Sequence, residues 1–342
     1  MKQFSIWLVG AGLIFYLLPG CAAQSSTAES KTLNLVASIA LPNVNGRIDH
    51  LAFDPKTERI FVAALGNNTV EVIDLKIGKP VHSIKGFAEP QGVAFVGTNN
   101  TLFIANGQTG ACDVLNAGSY QKITSIPLPG DADNVRYDSI HKKIYVGYGE
   151  GGIAVIDAVN FKKVGDIQLE GHPESFQLDI QHQKIFVNVP DKQQIEVIDL
   201  AKNAVINRWK LTEARTNFPM SLDLKHHRLF IGCRRPAKLL ILDSDTGKLI
   251  STVDTDSDVD DIFYDQGNKR IYISCGGGYI DIIEQQHSRG YTLIEKLASH
   301  PGARTSLVIP ELHRLVVASP KSLVKSAFLL VYALKNSPSK DF

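Results

Sequence analysis

From residue 33 onward, apolar residues fall in short runs bounded by Gly, Asn, Asp or Pro, and none extends into a stripe of helical period. One kind of run recurs seven times, at Arg59–Val62, Thr101–Ile104, Lys143–Val146, Lys184–Val187, Arg228–Ile231, Arg270–Ile273 and Arg314–Val317, with spacings of 42, 42, 41, 44, 42 and 44 residues. A second series trails the first at a nearly fixed offset, from Val72–Leu75 and Val114–Ala117 through Val155–Ala158, Val197–Leu200, Ile241–Ser244 and Ile282–Gln285 to Val331–Leu334. Two independent series that hold one register define a structural repeat of about 42 residues. Each repeat carries strand-length, β-branched runs separated by turn residues; in the first they fall at 48–53, 59–65, 69–75 and 80–85.

Four strands in about 42 residues is the pattern of a β-propeller blade. The chain is therefore expected to be all-β, a seven-bladed β-propeller with four-stranded blades. The seventh repeat supplies three strands, near 304–309, 314–319 and 327–334, and lacks the fourth. Leu33–Leu41, which precedes the first repeat, has the length and composition of an outer strand. It is predicted to complete the last blade and close the ring, because a gap would expose an apolar face that every interior blade buries against two neighbours. One domain over 33–334 follows, rather than two in tandem.

The stretch Asp54–Val62 through Asn68–Leu75 resembles the repeat of YVTN-type seven-bladed propellers, including YncE-like exported bacterial proteins, and the resemblance spans Leu33 to Leu334. It implies the fold and leaves function open, because this architecture hosts binding proteins, lactonases and electron-transfer subunits alike. The YncE-like relatives also bring single-stranded DNA binding as a less favoured implication. Trp209 is the one tryptophan beyond residue 20, so the tryptophan-docking pattern of quinoprotein dehydrogenases, and with it a PQQ signature, is absent, as is the Cys-x-x-Cys-His of covalent haem.

The N-terminus reads as an address. A short cationic start is followed by the apolar run Phe4–Leu18 and by Leu18–Cys21, so residues 1–20 are expected to be a signal peptide. The Leu-x-Gly-Cys ending resembles a bacterial lipobox, which implies lipidation of Cys21; ordinary cleavage just downstream is the alternative. Residues 21–32 are small and polar, as a flexible tether is, and 335–342 are expected to be a disordered tail. The expectation is an exported, periplasmic, membrane-anchored lipoprotein acting as a monomer. At 44% hydrophobic and 21% charged residues the chain can bury a core, and with 36 Lys and Arg against 35 Asp and Glu it has no surplus of positive charge to neutralise phosphates, which disfavours nucleic acid. Cys112, Cys233 and Cys275 permit one bridge at most; Cys233 and Cys275 hold matching positions in adjacent repeats, but buried free thiols are the simpler expectation.

In a propeller, the starts of the inner strands and the ends of the second strands meet around one mouth of the central channel. Repeats aligned on Asp54, Asp138, Asp179, Asp223 and Asp265 place Asp49, Gln91, Asp133, Glu174, Phe218, Asp260 and Arg304 in one column there. The next column adds His50, Asn134, Ser175 and Asp261, and the column two residues earlier adds Arg47, Glu89, Asp131, His172 and Asp258. Two carboxylates about 6 Å apart repel by roughly 3 kcal/mol at an effective dielectric of about 20, so several in one mouth need a cation, an arginine or a proton among them. The ligand-binding candidates are Arg47, Asp49, His50, Asp133, Asn134, His172, Glu174, Asp260 and Arg304. Asp49, Glu89, Asn134, Glu174 and Asp260 are the oxygen-rich candidates for a divalent cation, Ca²⁺ before Zn²⁺. His172 and Glu174 form a weak candidate acid/base pair, and Arg234 and Arg235 a candidate anion contact. His141, His182, His226, His227 and His313 fall in turns on the opposite face, where repetition points to a structural role.

No nucleophile, base and oxyanion arrangement stands out. The preferred function is therefore non-catalytic, the binding of a small molecule, ion or protein partner at an acidic channel mouth. A metal-dependent hydrolase is the alternative, similar in chemistry and location, though not in linear motif, to gluconolactonase and regucalcin propellers.

Overall fold

The computed structural model describes residues 29–336 together with Met1. The predicted signal peptide, the lipidation site Cys21 and the end of the C-terminal tail lie outside the described residues. Seven four-stranded antiparallel sheets follow one another as blades: 51–85, 90–127, 132–168, 176–210, 215–254, 259–298, and a seventh built from 305–334 and the strand Leu33–Leu41. This is the predicted all-β, seven-bladed propeller.

Ring closure follows from pairing and packing together. Leu33–Leu41 runs antiparallel to Ala327–Leu334, with Leu33 opposite Leu334 and Leu41 opposite Ala327, and a bulge between Leu35 and Ala37. Ile39 and Leu41 then pack with Ile60 and Ile73 of blade 1, while Leu33 packs with Tyr272 and Ile282 of blade 6. Blade 7 is thus buried on both sides like the others. Thr32 donates from its backbone N and Oγ1 to Glu295 Oε2 at 3.1 and 2.6 Å, and Lys335 Nζ donates to Glu29 Oε1 at 2.7 Å, so residues 29–32 are held against the ring.

Burial explains why the second strands are legible as unbroken apolar runs. They lie between two neighbouring blades and are covered on both faces, as at Arg59–Ala64 and Lys184–Val189. The outermost strands, such as Lys79–Lys85 and Ala204–Lys210, are exposed for most of their length. The repeated aspartates sit where the inner strand turns into the second: Asp54, Asp138 and Asp223 each accept the N–H two residues on, and Asp179 the N–H three residues on. His141, His182 and His226 place Nδ1 2.7–2.8 Å from those same carboxylates.

The inner strands depart from the simple column picture. Those of blades 2, 3, 5 and 6 shift register at their mouth end, between Pro90 and Val93, Ala132 and Val135, Asn217 and Met220, and Val259 and Asp261. In blade 1 the inner strand begins at Leu51 rather than near Ile48. There Asp49 N donates to Ala63 O at 2.7 Å and Ala63 N to His50 O at 3.0 Å, while His50 N reaches across to Gln91 O of blade 2 at 3.3 Å.

Candidate functional site at the channel mouth

The starts of the inner strands bring most of the predicted residues together. Arg47, Asp49, His50, Asp133, Asn134, Glu174, Ser175, Phe218 and Asp260 surround one gap of about 20 Å³, room for a single water-sized group. Below it lies a channel cavity of about 330 Å³ walled by inner-strand residues, including Arg136, Gln177, Ser221, Asp261 and Ser306. His50 and Ser175 border both spaces, so the gap adjoins the channel.

The mouth carries more positive charge than the columns, which held Arg47 and Arg304, suggested. Six carboxyl groups (Asp49, Asp133, Glu174, Asp258, Asp260, Asp261) are interleaved with the guanidinium groups of Arg47, Arg136, Arg234 and Arg304. Arg47 Nη2 lies 2.7 Å from Asp49 Oδ2. Burial works against the Arg47 charge, yet Asp49, Asp260, Asp133 and Glu174 together hold its pKa above the ordinary value. Arg234 stacks 3.8 Å over the Phe218 ring and reaches Asp260 Oδ1 at 2.5 Å and Asp258 Oδ1 at 3.3 Å. Arg304 reaches the same two carboxylates, at 2.9 Å to Asp260 Oδ2 and 3.1 Å to Asp258 Oδ2. Even between two guanidinium groups, burial raises Asp260 to about 6.

Asp133 and Glu174 have no such partner. Among the described residues neither side chain makes a hydrogen bond or an ion pair, although Asp133 is only 7% exposed. Burial, with Asp260 next, pushes Glu174 up to about 8; burial, with Glu174 and Asp49 next, pushes Asp133 well above the usual carboxylate range. Glu174 therefore holds its proton at neutral pH, and Asp133 is displaced in the same direction by the same cause. On the wall of the same gap, Asn134 is 2% exposed and its Oδ1 accepts nothing. Deeper in, burial also raises Asp261, whose Oδ2 accepts the Ser306 N–H at 2.7 Å, and it lowers His50, which stays neutral despite Asp49.

Three predicted residues stand elsewhere. His172 turns away from Glu174 into a side cleft walled by blade 3 and the loop ahead of it, with Nδ1 2.5 Å from Gly149 O and 4.0 Å from Asp131, so no His172–Glu174 pair forms. Glu89 is exposed, in a left-handed turn held by Asn68 Oδ1, apart from the mouth acids. Arg304 acts behind the gap, on Asp258 and Asp260. Among the described residues no group of three or more His, Cys, Asp and Glu side chains is placed to hold a metal ion. Cys112, Cys233 and Cys275 are free and buried, so the matching positions of Cys233 and Cys275 do not make a bridge.

Arg136 is the residue that column alignment passed over. A signal was present: two positions before the aligned aspartates the inner strands carry Ala52, Ala94, Arg136, Gln177, Ser221, Phe263 and Leu307, with one charge in the set.

No family model matches the chain, and neither does any curated protein. Solved structures with the same architecture include a chain of the hydrazine synthase of Kuenenia stuttgartiensis, with a TM-score of 0.74 and 14% identity, covering 91% of this chain and 99% of that one. A chain of a mitotic checkpoint complex aligns with a TM-score of 0.76 and 15% identity over 96% of this chain and all of the other. Likeness at this level of identity establishes the propeller fold and nothing finer.

Proposed function

We propose that this chain is an exported, lipid-anchored binding propeller of the YVTN type, whose ligand presents a small ammonium group to the channel mouth. The supporting observation is the set of acceptors without partners around the gap: the buried Oδ1 of Asn134, the carboxyl of the mostly buried Asp133 and that of the partly exposed Glu174. A primary ammonium carries three donors and no acceptor, which matches three acceptors about a water-sized space. Without a ligand, protons take the place of the cation; with one, the carboxyls ionise and the charge is shared in charge-assisted hydrogen bonds. A divalent ion, as the hydrolase reading requires, lacks a converging set of carboxylates here.

The direction of the first strand bears on access. Leu33 lies opposite Leu334, at the face away from the mouth, and Leu41 opposite Ala327, just after the second-strand exit. With a lipid on Cys21, the mouth would face away from the bilayer, open to solutes.

Calorimetric titration with methylammonium chloride tests the reading. Binding is expected with net proton release. With Glu174 at about 8, its ionised fraction rises roughly twentyfold between pH 6.5 and 8.5, and affinity should rise with it. Failure of wild-type protein to bind methylammonium, or binding of equal strength at both pH values, would refute it.

A further inference from the structure

We propose that the ligand is a small zwitterion, an amino acid whose ammonium sits among Asp133, Asn134 and Glu174 and whose carboxylate extends into the channel to Arg136. The inference rests on the ammonium reading of the mouth and adds the second half of the ligand.

Arg136 follows Asp133 by three residues on the same inner strand, Ala132–Asp138, and its guanidinium lines the cavity of about 330 Å³ under the gap. The other three arginines of the mouth are engaged by carboxylates, and Arg136 is not. Nη1 donates to Val135 O at 3.0 Å, Nη2 makes a long contact of 3.4 Å to Ser175 Oγ, and the group lies 5.5 Å from the Phe176 ring centroid. Among the described residues it makes no ion pair. A guanidinium has five N–H donors, so most of its fork is unused.

The acids that act on it electrostatically, Asp261 and Asp133, make no ion pair with it. Asp261 accepts from Ser306 N at 2.7 Å and faces His50 at 3.8 Å, and Asp133 belongs to the gap. A cation sequestered without an anion is costly, and burial accordingly lowers the Arg136 pKa in spite of Asp261 and Asp133. A set of unpartnered acceptors and a guanidinium without an ion pair therefore open on adjoining spaces, with Ser175 bordering both. A planar guanidinium suits a carboxylate, which it binds through two parallel hydrogen bonds. Between the two ends Val135, Met220 and Ile262 offer apolar wall for methylenes, and the cavity is at the small end of ligand sites.

The test compares amino acids with amines of equal chain length on the full chain by calorimetry at pH 8: glycine with ethylamine, β-alanine with propylamine, and γ-aminobutyrate with butylamine, with methylammonium as reference. At least one amino acid is expected to bind tenfold or more tightly than its matched amine. In Arg136→Gln that ratio should fall to within about twofold. The inference is overturned if no amino acid exceeds its amine by more than twofold in the wild-type protein, a comparison that needs no variant. It is also overturned if the advantage survives Arg136→Gln. Absence of methylammonium binding instead refutes the ammonium site itself, so the two failures are told apart.

Discussion

Replacing Glu174 by Gln should make the protein more stable at alkaline pH, which is the reverse of the usual cost of altering a buried polar residue. A carboxyl whose pKa is higher in the folded chain binds its proton more tightly there. Its contribution is complete below the unfolded value and is lost as pH climbs through the folded one. For Glu174 the window runs from the ordinary 4.5 to about 8, and at about 1.4 kcal/mol per pH unit the ceiling is on the order of 5 kcal/mol. The amide keeps the shape but remains unpartnered, which costs about 1–3 kcal/mol. A net gain of roughly 2–4 kcal/mol is expected at pH 8.5, turning into a loss of about 1–3 kcal/mol at pH 4.5, where the amide's cost stands alone. Part of the slope remains in the variant, because burial also raises Asp133 and Asp261. Trp209, the one tryptophan beyond residue 20, packs 5.7 Å from Phe186 within the blade that carries Glu174, so its fluorescence in urea titrations at each pH reports the right unit. A difference between variant and wild type that stays constant from pH 4.5 to 8.5 would refute the reasoning.

Ring closure and the thiols give two further tests. Leu41→Ala empties a position 1% exposed at the seam and should cost about 2–5 kcal/mol, whereas Leu35→Ala on the same strand, 51% exposed, should stay within about 0.5 kcal/mol; equal urea midpoints would contradict the closure. Burial pushes the Cys112, Cys233 and Cys275 thiols up, Cys233 to about 12, so a thiol reagent should label none of the three in native protein and all three in denaturant; fast native labelling would count against the packing described.

The fold was legible because its cause is periodic. Each second strand must be apolar on both faces to fill the space between blades, so Arg59–Val62 and its six equivalents announce themselves in the chain, and the fourth strand missing from the last repeat points to Leu33–Leu41. The site was legible in part. Columns found the mouth residues but treated each inner strand as regular, and four of the seven are bulged where the columns were read. A bulge changes which face a residue presents, and past the one in blade 3 Arg136 lines the channel; His172 precedes the regular inner strand of blade 4, in a loop that turns it to Gly149 O and the side cleft. Glu89 shares a column with Arg47 but is exposed to solvent, whereas Asp258 of that column, in the same left-handed conformation, meets Arg234 and Arg304.

The order of residues around the ring explains why the uncompensated acids fall where they do. Read blade by blade, the mouth column runs Asp49, Gln91, Asp133, Glu174, Phe218, Asp260, Arg304. Asp260 has Arg304 on the next blade and Arg234 on the preceding one, and Asp49 has Arg47 two residues away, so each has its cation. Asp133 and Glu174 are adjacent to each other, and their outer neighbours, Gln91 and Phe218, carry no charge. Gln91 spends its amide on Asp131 at 2.9 Å, and Phe218 serves as the platform for Arg234. Like charges on adjacent blades, with neutral column positions on either side and the neighbouring arginines engaged by Asp49 and Asp260, find no ion pair of their own. They must keep protons or take a cation from solution. The same reasoning applies to any closed ring of blades: an adjacent pair of acids flanked by neutral positions marks where an external cation is most strongly favoured, and here the gap beside that pair adjoins the channel lined by Arg136, which makes no ion pair.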